Sequence, residues 1–133
     1  MEKPYDIRQR TLLFADDVLA FTKRLRAKDS VYQEIVDQLN DAASSIGANL
    51  AEAKDGESKK DFIHKNSIAL KEANESSYWL KRAWRAEKSL RRAVEPLIQE
   101  SAELIKILTA IIVNAKSNPN RGKNVNSENQ EPT

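Results

Sequence analysis

Apolar residues recur every three or four positions along most of this chain, which is the spacing that places them on one face of an α-helix. The first such segment runs from about Asp6 to Lys28, and we expect Leu12, Leu13 and Leu19 to widen its buried face. The centre of that face is predicted to be Ile7, Thr11, Phe14, Val18, Phe21 and Leu25. A second segment follows an N-cap predicted at Asp29-Ser30. Its inner positions are Ile35, Leu39, Ala42, Ile46, Leu50 and Ala53.

The second half of the chain repeats this pattern after a turn predicted at residues 54–57. We predict a third helix over Lys59–Ala86, capped by Ser58. Its inner positions are Phe62, Asn66, Ala69, Ala73, Ser76, Leu80 and Ala83. A fourth helix is predicted to begin between Arg91 and Glu95, with Pro96 in its first turn, because proline cannot donate the hydrogen bond required further along a helix. Its inner positions are Leu97, Ser101, Leu104, Leu108, Ile111 and Ala115.

Four amphipathic segments joined by short loops predict an all-α fold, an antiparallel up-down-up-down four-helix bundle over residues 1–116. Small residues on the second helix (42–48) and on the third (69–77) predict that these two helices are close neighbours. From residue 117 the periodicity stops and polar residues dominate, so residues 117–133 are predicted to form a disordered polar tail. The scarcity of glycine and proline, three and four residues in 133, agrees with a helical chain.

The residues required for common kinds of chemistry are missing or isolated. The chain has no cysteine and a single histidine, His64. A di-metal site in a bundle needs two Glu-x-x-His motifs, which one histidine cannot supply. No glycine-rich loop is present to hold a phosphate, and no serine or lysine stands in a nucleophile–base pattern. We therefore predict a protein that is not an enzyme and uses no cofactor or metal. With no signal peptide or apolar stretch long enough to span a bilayer, it is predicted to be cytoplasmic.

Positive charge is concentrated more than the net charge of +2 suggests. The end of the third helix and the start of the fourth carry six cations, which we predict to bind nucleic acid: Lys81, Arg82, Arg85, Lys88, Arg91 and Arg92. In an up-down bundle the end of the first helix, residues 23–28, adds four more at the same pole. Cations near helix C-termini are stabilised by the helix dipole, but that argument does not extend to Arg91 and Arg92 at the start of a helix.

Two further groups are candidates for contacts between subunits. Lys71–Glu75 and Lys65–Glu72 can form ordinary surface pairs. Alternatively, Asn49, Glu52 and Glu72 are partly buried polar anchors that fix helix register or a subunit contact. Trp79 and Trp84 lie beside Tyr78 late in the third helix, and core packing and a subunit interface both explain them. The predicted interface residues are Asn49, Glu52, Glu72, Glu75, Trp79 and Trp84.

The chain resembles the four-helix bundle protein family that includes proteins encoded in intervening sequences of bacterial large-subunit ribosomal RNA genes. The resemblance covers roughly residues 7–115. It is carried by the segments Ser45–Ala53, Ser58–Ile63, Ile68–Ser76, Tyr78–Leu80 and Leu104–Leu108. It implies a bundle without known enzymatic activity that assembles into a ring, commonly a pentamer. Where many members have Arg-Arg-Ala before the Ser-Ile motif, this chain has Asn40-Asp41-Ala42.

The resemblance extends distantly to the accessory protein of diversity-generating retroelements, a pentameric bundle that binds nucleic acid and a reverse transcriptase. We therefore expect a non-enzymatic oligomeric bundle, an accessory or assembly protein that binds RNA or DNA through its basic pole. A protein partner such as a reverse transcriptase is implied by the same resemblance. The alternative is an oligomeric protein–protein scaffold with no nucleic-acid role, in which exposed tryptophan, not arginine, determines partner affinity.

Overall fold

The computed structural model describes residues 6–53 and 58–118, and within them the chain forms four α-helices and no strand. The helices are α1 (Ile7–Lys28), α2 (Gln33–Glu52), α3 (Lys59–Ala86) and α4 (Arg91–Ser117). Short 3₁₀ turns at Ser30–Tyr32 and Lys88–Leu90 lead into α2 and α4. The predicted turn at residues 54–57 and residues 119–133 of the predicted tail lie outside the described residues. The predicted all-α four-helix class is confirmed.

Side-chain caps explain where three of these elements begin. Asp6 accepts a hydrogen bond from the Arg8 amide (2.9 Å), and Ser58 accepts one from the Asp61 amide (3.1 Å), as predicted for the start of α3. The prediction for α2 is wrong in detail. Asp29 accepts from the Val31 amide and so caps the 3₁₀ turn, while α2 itself begins four residues later at Gln33.

The predicted inner positions of the four helices form most of the core, and its fully buried side chains include Phe14, Leu25, Leu39, Ile46, Leu80, Leu104 and Leu108. In α4 one inner position differs from the prediction by one residue, because Ile112 is buried whereas Ile111 is only half-buried. The expectation that three leucines widen the buried face of α1 is wrong, because Leu12, Leu13 and Leu19 are 57%, 46% and 47% exposed. Successive residues are rotated by about 100° around a helix axis. The three leucines therefore lie on the part of the α1 surface that neither α2 nor α4 covers.

Hydrogen bonds between helix ends establish the antiparallel order. They run from Arg8 to the Ala53 carbonyl (3.3 Å), from Tyr32 to the Ala86 carbonyl (3.2 Å) and from Lys59 to the Lys116 carbonyl (3.2 Å). Each helix packs against the next, and α1 closes the bundle against α4. At that closing contact Arg10 donates to both oxygens of Glu100 (2.7 and 3.0 Å) and to Glu103 (2.9 Å). Its bonds to Glu100 raise the pKa of Arg10.

Small residues allow α2 to pack closely against both α3 and α1. Ala42 and Ala43 are buried on α2, as are Ala69 and Ala73 on α3, which confirms the predicted close contact of the two helices. Ser44 and Ala48 were expected on the same face, but they are exposed. Gly47 faces α1: a Cβ added there would lie 3.3 Å from the Thr11 Oγ1. The absence of a side chain at Gly47 therefore sets how closely α1 and α2 approach.

The position of Pro96 differs from the prediction. It is the sixth residue of α4, beyond the first turn, where its ring nitrogen cannot donate to the carbonyl of Arg92. Both Pro96 and Arg92 are exposed. Because water can satisfy the released carbonyl, the helix tolerates a proline that a buried position would reject.

Candidate nucleic-acid interface

The two cation-rich segments predicted from the sequence meet at one end of the bundle. Tyr32, in the turn before α2, donates to the Ala86 carbonyl (3.2 Å) and to the Glu87 carboxylate (2.9 Å). We call residues 23–37 and 81–95 the basic pole. It contains ten Lys and Arg against five Asp and Glu, whereas the remaining described residues contain eight against ten. The basic pole thus has a net charge of +5, and the remaining described residues have a net charge of −2.

Four of the six predicted nucleic-acid-binding residues are available to a ligand. Lys81, Arg85, Lys88 and Arg92 are exposed and form no ion pair with any residue in the described ranges 6–53 and 58–118. Arg82 is also exposed, with its guanidinium carbon 5.8 Å from the centre of the Trp79 ring. These cations are free to exchange bound counterions for phosphates.

Arg91 has a different role from the predicted one. It is half-buried, its Nε donates to the Trp84 carbonyl (2.8 Å), and its guanidinium carbon lies 3.7 Å from the centre of the Trp84 ring. The indole in turn donates to Glu95 (2.9 Å). Although Arg91 begins α4, it caps the carbonyl end of α3, where a cation is favoured. The prediction that the helix dipole does not account for Arg91 is therefore wrong. Arg91 begins α4 in the sequence, but its guanidinium lies at the C-terminal end of α3 in space.

The end of α1 adds exposed cations to the same pole. Lys23, Arg24 and Lys28 are exposed, while Arg26 donates to the side chain of Gln33. Of the five acids, Glu87 is held by hydrogen bonds from Ser89 and Tyr32 that lower the pKa of its carboxyl group. Glu87 therefore stays ionised and fixes the loop between α3 and α4, and it offsets only part of the positive charge.

The predicted interface residues separate onto two sides of the bundle. Asn49 is half-buried and donates to the Ser45 carbonyl of its own helix (2.8 Å), so its amide does not bridge helices. Glu52 is exposed, and its backbone carbonyl accepts from Lys65 of α3 (3.1 Å). The bond from Lys65 places Glu52 beside α3. On the opposite flank of α3, Trp84 contacts α4 through Arg91 and Glu95 and is explained within one chain.

The two remaining glutamates differ in environment. Glu75 forms the predicted surface pair with Lys71 (3.9 Å), in which both side chains are exposed. Glu72 is half-buried on α3, and burial, followed by the nearby charge of Glu75, raises the pKa of its carboxyl group. A carboxylate held under such conditions opposes folding at neutral pH unless a partner supplies a compensating charge.

Trp79 forms the wall of a groove that the sequence did not reveal. The tryptophan groove lies between the start of α2 and the end of α3 and encloses about 440 Å³. It is lined by Val31, Tyr32, Glu34, Ile35, Trp79, Arg82 and Ala86. Trp79 packs against the core, and Tyr78 meets its ring edge-on with centroids 4.9 Å apart. Val31, at 74% exposure, is the most exposed large apolar residue among those described.

The leucines that the core excludes define a second surface. Leu12 and Ala15 of α1 face Ser44, Ala48 and Ala51 of α2 across a shallow groove of about 490 Å³. Leu19 lies two turns from Leu12 on the same side of α1. We call this surface the leucine face. The sequence signal for it is an apolar stripe on α1 that is too wide for two neighbouring helices to cover.

Little in the described part of the chain points to catalysis. His64 is exposed, and residues 6–53 and 58–118 hold no group of three or more His, Cys, Asp or Glu placed to bind a metal ion. None of the helices there is both long and apolar enough to cross a membrane. The fold and surface together define a small helical bundle with one strongly positive end.

The chain belongs to the family of 23S rRNA-intervening sequence proteins, whose family model matches residues 3–110. A solved structure is similar over most of its length. It is a protein of unknown function from the S23 ribosomal protein family of Bacteroides thetaiotaomicron, 37% identical, with a TM-score of 0.72 over 80% of this chain and 97% of that one. No curated protein sequence matches the chain. The predicted family resemblance is thereby confirmed.

Proposed function

We propose that this protein is a non-enzymatic, oligomeric accessory or assembly protein of the cytoplasm that binds RNA or DNA through its basic pole. The observation that supports the proposal is the separation of charge, with ten cations against five acids at one end of a chain that is nearly neutral overall. Helix dipoles account for cations at the ends of α1 and α3, but not for Arg92 in the first turn of α4. Phosphates would compensate that unfavourable placement.

The oligomeric part of the proposal concerns a ring, for which five subunits is our expectation. A closed ring needs two different surfaces on each subunit. The leucine face supports one contact, because exposed leucines beside small residues leave apolar area that a second copy would cover. For the other contact, the prediction remains the polar residues Asn49, Glu52, Glu72 and Glu75. Basic poles on one side of a ring would contact several phosphates at once and steepen the dependence of binding on salt.

The test is fluorescence anisotropy of a labelled structured RNA across a salt series. The pole variant changes Lys81, Arg85, Lys88 and Arg92 to Glu and leaves Arg91 in place, because Arg91 holds Trp84. The matched control changes Lys60, Lys71, Lys106 and Lys116, which lie away from the pole. Each change lowers the charge by two, so both variants go from +2 to −6.

The proposal predicts tight binding by the unchanged protein and by the control, and loss of binding in the pole variant. Removing four phosphate contacts should reduce the log–log salt slope by about 3 to 4. Equal weakening in the two variants would mean that only net charge matters, and the pole would then not be the binding surface. Absence of binding at low salt would refute the nucleic-acid function and favour the protein–protein scaffold.

A further inference from the structure

The tryptophan groove opens within the basic pole but is chemically unlike it. Its walls are an indole ring, an isoleucine and the exposed Val31, with Arg82 at one edge and Glu34 at another. From these residues we propose that the groove holds one unpaired nucleobase of the nucleic acid whose backbone the pole binds. This inference rests on the proposed function and names the kind of nucleic acid: one with a single-stranded segment.

The Trp79 ring is placed to act as a stacking surface. One side of the residue packs against the core, Tyr78 meets it edge-on at 4.9 Å, and the Arg82 guanidinium carbon lies 5.8 Å from its centre. These contacts fix the ring before a ligand arrives, so stacking costs little ordering. Stacking one base on a protein aromatic ring changes affinity roughly 5- to 150-fold. A groove of about 440 Å³ is large enough for a single nucleotide.

Charge in and around the groove favours a base attached to a polyanion. The pole surrounding it has five more cations than acids, which complements the phosphates on either side of a bound nucleotide. Glu34 at one edge of the groove repels phosphate, so the backbone is kept to the edge that carries Arg82. The Glu34 carboxylate can only accept hydrogen bonds, so it suits the amino groups of adenine, cytosine or guanine better than uracil, which has two carbonyls and a single N–H donor.

Trp84 shows why the groove is assigned to Trp79 alone. The Trp84 indole is engaged by Arg91 and Glu95, on the other flank of α3. Trp84 lines neither the tryptophan groove nor the groove of the leucine face. The variant Trp84→Phe consequently serves as a matched aromatic control, and it leaves Trp79 as the sole tryptophan of the chain.

The experiment compares two labelled RNA hairpins with the same short single-stranded tail, one of which lacks the bases of that tail. The phosphates are identical, so the basic pole contacts both equally. We expect the abasic tail to bind at least fivefold more weakly to the unchanged protein and to Trp84→Phe. In Trp84→Phe, the intact tail should quench Trp79 fluorescence and the abasic tail should not. Trp79→Leu should bind both hairpins alike, with an unchanged salt slope.

A second arm tests the base preference. Tails of adenine or cytosine should bind the unchanged protein several-fold more tightly than a uracil tail, and Glu34→Gln should reduce that difference because an amide both donates and accepts. Persistence of the full preference in Glu34→Gln would overturn the role of Glu34 in the groove.

Three results would overturn the base site. Equal binding of intact and abasic tails without a change in Trp79 fluorescence would leave the basic pole as the binding surface and remove the groove from it. A changed oligomer mass in Trp79→Leu would assign Trp79 to the subunit contact instead. Binding of neither hairpin would refute the proposed function together with this inference. If Trp79→Leu fails to fold, the comparison of the two tails on the unchanged protein decides the question alone.

Discussion

One arginine forms the charged part of the contact that closes the bundle between α1 and α4. Arg10 forms a bidentate ion pair with Glu100 and a single hydrogen bond with Glu103. The side chains of Arg10 and Glu100 are 14% and 10% exposed, whereas that of Glu103 is 56% exposed. Replacing Arg10 with Met would leave a nearly buried carboxylate without its guanidinium. Such losses cost about 3–5 kcal/mol, and because both groups retain some solvent contact we expect the lower end, about 3 kcal/mol. A domain of this kind has a total stability of roughly 5–15 kcal/mol, so the effect is large.

Urea unfolding followed by circular dichroism at one fixed protein concentration measures this cost, the concentration being fixed because assembly would add to the stability. Glu103→Gln is the matched control and should cost less than about 1 kcal/mol, because Glu103 is exposed. The double variant Arg10→Met/Glu100→Met should recover most of the stability, since two apolar side chains replace a desolvated pair. A loss below about 1 kcal/mol in Arg10→Met, or no recovery in the double variant, would refute this account of the contact.

Three further changes test the surfaces and the packing. Leu12→Arg with Leu19→Arg should reduce the mass measured by light scattering from that of a ring, about 75 kDa for five copies of 15.1 kDa, to that of one chain, with helical content unchanged; an unchanged mass excludes the leucine face. Because the folded state raises the pKa of Glu72, it binds a proton there more tightly than the unfolded chain does, so ionisation opposes folding. Glu72→Gln should therefore raise the urea midpoint near pH 7, and the gain should fade as the pH drops toward about 4; a gain independent of pH would contradict this. Asn40 donates to Thr22 Oγ1 (2.9 Å) between α2 and α1, and Asn40→Ala should cost about 1 kcal/mol in the same unfolding assay, with a negligible loss showing that water replaces the bond.

The sequence was sufficient to predict the helices and most of their inward-facing residues, because both follow from the spacing of apolar positions. Every helix is present, α3 has the predicted ends, and the predicted inner positions are buried except Ile7, Phe62 and Ile111, which are half-buried. This success has a simple cause: a residue such as Leu39 must face the core whichever neighbour covers it. The close contact of α2 and α3 was predictable for the same reason, because buried alanines on both helices allow close approach.

The errors concern properties that depend on which helix lies where. A stripe on α1 was assigned to the core because the sequence does not show how much of it two neighbours cover, and Leu12 and Leu19 are left exposed. Pro96 was placed in the first turn because a proline further along is normally costly, but exposure of the released carbonyl reduces that cost. The tryptophan groove joins Val31 to Trp79, residues 48 positions apart, and no local pattern indicates such a pairing.

The basic pole shows how much of a charge cluster can be structural and where the structural explanation ends. Arg91 stacks on Trp84 and caps α3, Arg82 lies near Trp79, and cations at the ends of α1 and α3 face favourable helix dipoles. Arg92 has none of these contacts within the described residues, and it sits exposed in the first turn of α4, where the dipole disfavours a cation by about 0.3–1 kcal/mol. A residue that the fold does not require, placed where the fold disfavours it, adds to the separation of charge in support of the proposal that the pole binds an anion. Arg92 should therefore account for more of the RNA affinity than any cation whose position the helix dipoles already explain.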